Sequence, residues 1–333
     1  MAPDRPRHLP SPDHNIAMWG ATGSGKTTFL AALDIALNRS DDVDWRVIGA
    51  NDASTDVLVD LSSTLAVRNE FPERTEGMEQ YQWRLIGETE HREGRMWNRR
   101  TVRRAHTLGL DLYDASGEWF DNDFMGDREP MLQSLTKSRG IVYLFDPIRE
   151  FKVGDAYKSL DGMLARLAQR MLNAEDAPAD GRLPHHVAVC TTKFDEVRVL
   201  QTAEHLGLLD YDADEHGCPR VTGDEEAREL FRELCSVSAT GTAELVLRKL
   251  TRYFREDRIR FFATSAVGFH LDPAANGFNG RDFQNVVPDA ESTGGFRIRS
   301  GVRPINVMEP VLWLAERLAD ASAASVLDTE AAR

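Results

Sequence analysis

Cysteine is scarce in this sequence, and so are long apolar runs. Cys190, Cys218 and Cys235 form no C-x-x-C pair, so neither a disulfide framework nor a thiolate zinc site is expected. Apolar runs such as residues 140–145 are far shorter than the roughly 18 residues of a membrane-spanning helix. The Pro- and charge-rich start, MAPDRPRHLPSPDH, lacks the apolar segment of a signal peptide. These absences predict a reduced, cytoplasmic protein without a membrane span.

Positive charge is also in deficit, because 40 Lys and Arg face 54 Asp and Glu and give a net charge of −14. Such a balance argues against broad nucleic-acid binding, which needs a basic face. One basic run, NRRTVRRAH at 98–106, is interpreted as a solvated hairpin connection, with an anionic partner site as the alternative. Lysine is the rarer cation, so a lysine inside a motif is informative.

What the sequence does contain is GATGSGKT at 20–27, between the apolar run HNIAMW and a helical pattern of Phe29, Leu30, Leu33 and Leu37. A glycine-rich loop between a strand and a helix turns its backbone N–H groups toward phosphates. Lys26 is predicted to reach the β- and γ-phosphates, and the Thr27 hydroxyl to bind Mg²⁺. The residues predicted to bind nucleotide in this loop are Gly20, Ala21, Thr22, Gly23, Ser24, Gly25, Lys26, Thr27 and Thr28.

A second motif, DASG, ends the apolar strand TLGLDLYDASG at 107–117. Asp114 is predicted to hold Mg²⁺ through a water, and the Gly117 amide to meet the γ-phosphate. Asp111 is the competing acid, and Asp114 is preferred because x-x-Gly follows it. Loss of the γ-phosphate would release such a turn, which is how a nucleotide switch operates.

Two further strand ends address the base. TKFD at 192–195 follows the apolar run VAVC, and Asp195 can accept two hydrogen bonds from the N1–H and N2–H₂ edge of guanine. Lys193 can lie along the purine face and tie this loop to the phosphate loop, while Thr192 braces the turn. TSA at 264–266 ends another strand, where Ser265 and Ala266 allow a backbone amide to approach guanine O6.

These four motifs, in this order, resemble the G1, G3, G4 and G5 motifs of the Ras-like GTPase superfamily of P-loop proteins. The long segment before DASG, YLFDP at 143–147 and RPINVMEPVLWLAERL at 303–318 make the chain most similar to bacterial double-GTPase (DO-GTPase) proteins. The resemblance implies a regulatory GTPase of a bacterial signalling or conflict system. Its implied ligands are GTP, GDP and Mg²⁺, and its implied partner is a protein: an activator, an effector or a second GTPase.

The chain departs from the family pattern at positions that matter for catalysis. The switch I threonine, a further Mg²⁺ ligand, is assigned to Thr75, whereas Thr55 and Thr64 are expected to be buried in an inserted helix. Glu118 stands where related enzymes have a glutamine that orients water, which predicts slow intrinsic hydrolysis. Alternatively, Glu118 only caps a turn. With Lys26 and Thr75, Glu118 completes the predicted catalytic set. The source of an arginine finger stays open between Arg74, Arg149 and a partner protein.

The predicted fold is a three-layer α/β G domain with a mostly parallel sheet and one antiparallel edge strand, YQWRLIGE at 81–88. Residues 14–320 are expected to form one domain with insertions near 40–80, 200–250 and 270–304. A disordered leader at 1–13 and a flexible tail at 321–333 are expected to flank it. Helices are predicted over 156–173 and 307–319. The alternative functions are a nucleotide-locked scaffold with negligible turnover and an ATP-using P-loop enzyme.

Overall fold

The strands and helices alternate along most of the chain. The computed structural model describes residues 15–21, 23–41, 44–73, 78–93, 100–115, 129–174, 180–212, 216–274, 276–291 and 295–331. Its strands are β1 Asn15–Gly20, β2 Trp45–Gly49, β3 Met78–Glu93, β4 Arg100–Ala115, β5 Gly140–Phe145, β6 His186–Thr191, β7 Asp210–Asp212, β8 Cys218–Arg220, β9 Ile259–Ala263, β10 Leu271–Asp272, β11 Gly277–Phe278, β12 Val286–Pro288 and β13 Phe296–Ile298.

The helices lie between these strands and close the chain. They are α1 Lys26–Arg39, α2 Asp52–Ser63, α3 Glu129–Lys137, α4 Pro147–Lys152, α5 Ala156–Asn173, α6 Val197–His205, α7 Asp224–Ser236, α8 Glu244–Tyr253 and α9 Met308–Ala331. A π-helical turn, Thr64–Arg68, extends α2, and a 3₁₀ turn, Glu256–Arg258, precedes β9.

The central sheet of the described residues has the order β2-β3-β4-β1-β5-β6-β9. The run from β4 to β9 is parallel, whereas β3 is antiparallel to both of its neighbours. The predicted fold class, a mixed α/β fold with a mostly parallel sheet, is confirmed. Because β2, part of the insertion near 40–80, pairs along β3, the strand containing YQWRLIGE lies one place inside the edge rather than at it.

Both faces of the sheet are buried where the parallel strands lie. In β1, Ala17 and Trp19 face one apolar cluster while Ile16 and Met18 face the other, which explains the unbroken apolar run. The first cluster includes residues of α3, α5 and α7, and the second includes residues of α1, α2 and α9. The sheet is therefore the middle of three layers.

The predicted helix over 156–173 is observed as α5, with the apolar side chains Leu160, Met163, Leu164, Leu167 and Met171 buried at helical spacing. The closing helix begins at Met308 and continues to Ala331, through most of the segment 321–333 for which a flexible tail is predicted. The leader at 1–13 lies outside the described residues. Within the described ranges, no helix combines the length and the hydropathy needed to cross a membrane.

The insertion at 270–304 joins other parts of the fold. Its β12–β13 hairpin donates a backbone hydrogen bond from Ile298 to the carbonyl of Asn69, at 3.2 Å. The Arg39 guanidinium, at the end of α1, donates to the Val302 carbonyl. Asn285 is fully buried in this insertion; its amide nitrogen donates to the Val267 carbonyl, and its oxygen accepts from Ser300. These hydrogen bonds attach the segment to the rest of the fold despite its loop-like composition.

Candidate functional site

The predicted motif residues converge at the carboxyl ends of neighbouring parallel strands. In the sheet register, Gly20 pairs with Leu144, Phe145 pairs with Thr191, and Thr191 pairs with Ala263. The loops that follow β1, β5, β6 and β9 therefore all leave the sheet at the carboxyl ends of the strands. Open α/β sheets bind ligands at these ends.

The phosphate-loop lysine folds back over its own loop. Lys26 is buried at the start of α1, and its Nζ donates to the carbonyls of Gly20 at 3.3 Å and Ala21 at 3.5 Å. The helix cap is Gly25, which has no side chain to accept hydrogen bonds from the first turn, and no acidic residue lies in that turn. A helix amino terminus without acidic side chains favours an anion.

The glycines of this loop are required for two different reasons. Gly23 and Gly25 have φ angles of 74° and 91°, in the left-handed region that other residues rarely adopt. Gly20 is instead needed for space, because a Cβ there would lie 2.5 Å from the Ser24 hydroxyl oxygen and 2.7 Å from the Leu144 carbonyl oxygen. A Cβ at Gly23 or Gly25 would meet no described atom within 4 Å, so the left-handed conformation is what requires glycine at these two positions.

Asp195 and Ser265, predicted from separate motifs, are in direct contact. The Ser265 hydroxyl donates to Asp195 Oδ1 at 2.5 Å and accepts from the Gly268 amide at 2.8 Å. Asp195 is only 7% exposed, and this burial raises the pKa of its carboxyl to about 6, while the hydrogen bond from Ser265 acts in the opposite direction. The serine therefore fixes the orientation of the carboxylate and favours its ionised form.

Backbone hydrogen bonds join the loops that follow β6 and β9. The Phe194 amide donates to the Thr264 carbonyl at 3.0 Å, and Ser265 and Ile305 exchange hydrogen bonds at 3.0 and 2.8 Å. Thr192 braces the turn, as the sequence predicts, since both its amide and its hydroxyl donate to the Phe145 carbonyl. The loops after β5, β6 and β9 thus form one connected unit.

Lys193 is tied to a residue that the sequence reasoning missed. Its Nζ donates to Asp146 Oδ2 at 2.6 Å, at the end of β5, rather than to the phosphate loop as expected. Asp146 is buried and also caps α4. The available signal was an aspartate between an apolar strand and a proline, in YLFDP, which is a typical helix start.

The sheet register separates the two candidate metal acids. Asp111 of β4 pairs with Ala17, which lies three residues before the end of β1. It accepts long hydrogen bonds from Gln82 and Ser134, and burial raises its pKa. Asp114 lies three positions further along β4, so its backbone is level with the carboxyl end of β1. The backbone arrangement therefore favours Asp114 over Asp111.

A hydroxyl at Thr27 and a carboxylate at Asp114 are hard oxygen donors of the kind that Mg²⁺ prefers. The described residues contain no cluster of three or more His, Cys, Asp or Glu side chains that could hold a metal. The remaining predicted ligand, Thr75, lies outside the described residues, as do Thr22, Arg74, Gly117 and Glu118.

The other residues considered in the sequence have defined places. Thr64 is buried in the π-helical turn as expected, but Thr55 is exposed on α2, where its hydroxyl donates to the Asn51 carbonyl. The expectation that Thr55 is buried is wrong because it lies on the outer side of α2. Arg149, a candidate arginine finger, makes a bidentate ion pair with Asp155. Thr28 and Ala266 are half-buried beside the loops that they follow.

Comparison with known proteins gives similarity at the level of structure. No family model matches the chain, and no curated protein matches it. Among solved structures, the Arl6 small GTPase of Trypanosoma brucei with a bound nucleotide analogue, GppNp, is similar at 13% identity and a TM-score of 0.34, covering 92% of this chain and 97% of that chain.

The signal recognition particle receptor complex SRb-GTP/SRX of Chaetomium thermophilum is similar at 11% identity and a TM-score of 0.35, covering 76% of this chain and 91% of that chain. The bacterial selenocysteine-specific elongation factor EF-Sec is similar at 12% identity and a TM-score of 0.28, covering 76% of this chain and 25% of that chain.

Proposed function

We propose that this chain is a Mg²⁺-dependent GTP-binding switch that hydrolyses GTP to GDP and phosphate. The observation that carries the proposal is the buried Asp195 carboxylate, oriented by Ser265 at the same sheet edge as the phosphate loop. A phosphate loop alone suits any nucleoside triphosphate. The fixed carboxylate adds selection of the base.

Guanine presents N1–H and N2–H₂ as adjacent donors, and a carboxylate accepts from both. Adenine lacks this donor pair, so a buried ionised carboxylate facing it would lose its hydrogen bonds. Because Ser265 holds Oδ1, the carboxylate of Asp195 cannot turn freely to suit another base. Lys193 and Thr192 complete the base-binding loop, and Ala266 lets a backbone amide approach guanine O6.

The phosphates are bound by Lys26 and the loop amides at the amino end of α1. Thr27, Asp114 and Thr75 would hold Mg²⁺, which neutralises charge on the β- and γ-phosphates when bound. Lys26 and the backbone amides stabilise charge as water attacks in line. Glu118 in place of glutamine supports slow turnover that a protein partner accelerates. By its resemblance, the protein acts as a regulatory DO-GTPase in a bacterial signalling or conflict system.

The test compares GTP, ATP and XTP in binding and multiple-turnover hydrolysis by the wild type and by Asp195→Asn. Xanthine has a carbonyl where guanine has N2–H₂, so the asparagine amide can donate to it. We expect GTP preference in the wild type and a shift toward XTP in the variant. Asp161→Asn, which removes an acid that pairs with Lys249 between α5 and α8, is the matched control and should retain GTP preference.

Equal binding of ATP and GTP by both proteins would refute base reading by Asp195 and favour an ATP-using P-loop enzyme. GTP binding with negligible hydrolysis would favour the nucleotide-locked scaffold instead. GTP preference that Asp195→Asn leaves unchanged would place the base elsewhere.

A further inference from the structure

A buried aspartate outside the four nucleotide-binding motifs holds the lysine of the base-binding loop. We propose that Asp146 is a positioning residue that preorganises Lys193 for contact with the purine face. This inference rests on the proposed function, since it concerns the same nucleotide site. Its basis is the 2.6 Å hydrogen bond from Lys193 Nζ to Asp146 Oδ2.

The Asp146 carboxylate is held in place from a second direction. Its Oδ1 accepts from the amides of Ile148 at 3.0 Å and Arg149 at 3.1 Å, so it is the side-chain cap of α4. The side chain is 3% exposed. Oδ1 therefore anchors the carboxylate to the helix, while Oδ2 binds the lysine. Neither oxygen can move without breaking a hydrogen bond.

Lys193 is fixed at its backbone end as well. Thr192 is hydrogen-bonded to the Phe145 carbonyl, and the Phe194 amide to the Thr264 carbonyl. Lys193 itself has a φ of 60°, in the left-handed region. With its backbone and its ammonium group both held, the four-carbon stem extends from the loop that carries Asp195 to the end of β5.

The Lys193 side chain remains accessible to a ligand because 38% of it is exposed. A purine bound by Asp195 would contact the hydrocarbon stem, whereas Asp146 contacts the ammonium group. The two contacts use different parts of one side chain, so they do not compete. A free lysine loses rotamer entropy when it is ordered, and this loss is a cost in binding free energy. The ion pair meets part of this cost before the nucleotide binds.

The experiment measures GDP affinity by displacement of fluorescently labelled GDP from the wild type, Asp146→Asn, Lys193→Gln and the double variant. Asparagine keeps an oxygen to cap α4 but loses the charge that holds Lys193. We expect Asp146→Asn to weaken GDP binding roughly three- to tenfold, as for a partly exposed ion pair. Lys193→Gln should weaken it at least as much, and the double variant should be no weaker than Lys193→Gln.

Asp161→Asn is the matched control, because it also breaks an aspartate–lysine pair, of 2.5 Å, but between α5 and α8. It should leave GDP affinity within about twofold of the wild type, since surface substitutions have small effects. Thermal unfolding of each nucleotide-free variant establishes that it is folded. A purely structural effect of Asp146 would lower the unfolding temperature and add to the effect of Lys193→Gln.

Three results would overturn the inference: additive losses in the double variant, unchanged affinity in Asp146→Asn, or tighter binding in that variant, which would mean that the ion pair competes with the purine. If the wild type binds GDP in these cases, the proposed function survives. If the wild type binds no GDP at all, both proposals fail.

Discussion

Ser265 and Asp195 join two loops that lie 70 residues apart through a buried hydrogen bond of 2.5 Å. The bond places an oriented carboxylate where two parallel strands end. Because the same carboxylate is desolvated, its pKa is raised from 3.8 to about 6. The base recognition that we propose for Asp195 therefore depends on a proton equilibrium close to neutral pH.

The first prediction concerns this equilibrium. Guanine requires the ionised carboxylate as an acceptor, and Asp195 is ionised above its pKa of about 6. We expect GDP affinity to fall roughly tenfold between pH 7 and pH 5, as the carboxyl protonates. Equilibrium titration of GDP at a series of pH values measures it. The raised pKa has the opposite effect on folding stability. Ionisation of Asp195 destabilises the folded protein as pH rises from about 4 to 6, so protonation of Asp195 on acidification does not itself cause unfolding.

The control for this prediction is Asp195→Asn, because phosphate groups also titrate with a pKa of about 6. The variant retains the contribution of the nucleotide phosphate and lacks that of the carboxyl. The pH dependence should therefore be shallower in Asp195→Asn than in the wild type. Equal slopes in the two proteins would assign the whole effect to the nucleotide.

The second prediction separates conformational strain from ligand binding in the phosphate loop. Gly23 and Gly241 both have positive φ angles, of 74° and 67°, and a Cβ at either position meets nothing within 4 Å. Gly23→Ala and Gly241→Ala should each lower the free energy of unfolding by about 1–2 kcal/mol. Only Gly23→Ala should also weaken GTP binding, because it disturbs the phosphate loop. Urea unfolding and GTP titration of both variants measure the two effects, and equal loss of affinity would contradict the assignment.

The local part of the site could be predicted from the sequence. The apolar run before GATGSGKT and the helical spacing after it indicate a strand, a loop and a helix, and β1 and α1 are observed there. The ends of β6 and β9 were predicted in the same way, from VAVC before TKFD and from the strand that TSA ends. These elements follow from short-range patterns, so their residues identify them without knowledge of the fold.

Contacts between distant segments could not be predicted in this way. Asp146 and Lys193 lie 47 residues apart, and nothing in the local pattern of either residue indicates the other. The position of β3 depends on β2, an inserted strand. The residues of β2 do not indicate which strand it pairs with. Asn285 lies in a Gly-, Asn- and Pro-rich segment that is typical of loops, yet it is fully buried because its side chain bonds to Val267 and Ser300.

The third prediction tests the hypothesis that Glu118 slows hydrolysis. A carboxylate accepts a hydrogen bond from the attacking water but cannot donate one to the γ-phosphate, and it adds negative charge beside that group. Glu118→Gln should therefore increase the single-turnover rate of GTP hydrolysis at least about tenfold. Glu204→Gln, at an exposed position on α6, is the matched control and should leave the rate unchanged. An unchanged rate in Glu118→Gln would support the alternative, in which Glu118 only caps a turn.

The fourth prediction concerns the contact between the base-binding loop and the inserted segment. Phe194 lies between Lys193 and Asp195 and packs edge-on against Phe269, with ring centroids 6.0 Å apart. Phe269 also contacts Phe278 and Phe283 of the insertion. Phe269→Leu removes the aromatic contact, so it should lower the free energy of unfolding by about 1–3 kcal/mol and weaken GDP binding by the folded protein.

Phe254→Leu distinguishes this effect from general loss of packing. Phe254 is as deeply buried as Phe269, but it packs against His185, which precedes β6 and so lies at the opposite end of the sheet from the site. It should lower stability by a similar amount and leave the GDP affinity of the folded protein unchanged. A double-mutant cycle of Phe194→Leu and Phe269→Leu should give a coupling energy of about 0.5–1.5 kcal/mol in urea unfolding. If Phe254→Leu and Phe269→Leu change GDP affinity equally, the insertion stabilises the domain without supporting the base-binding loop.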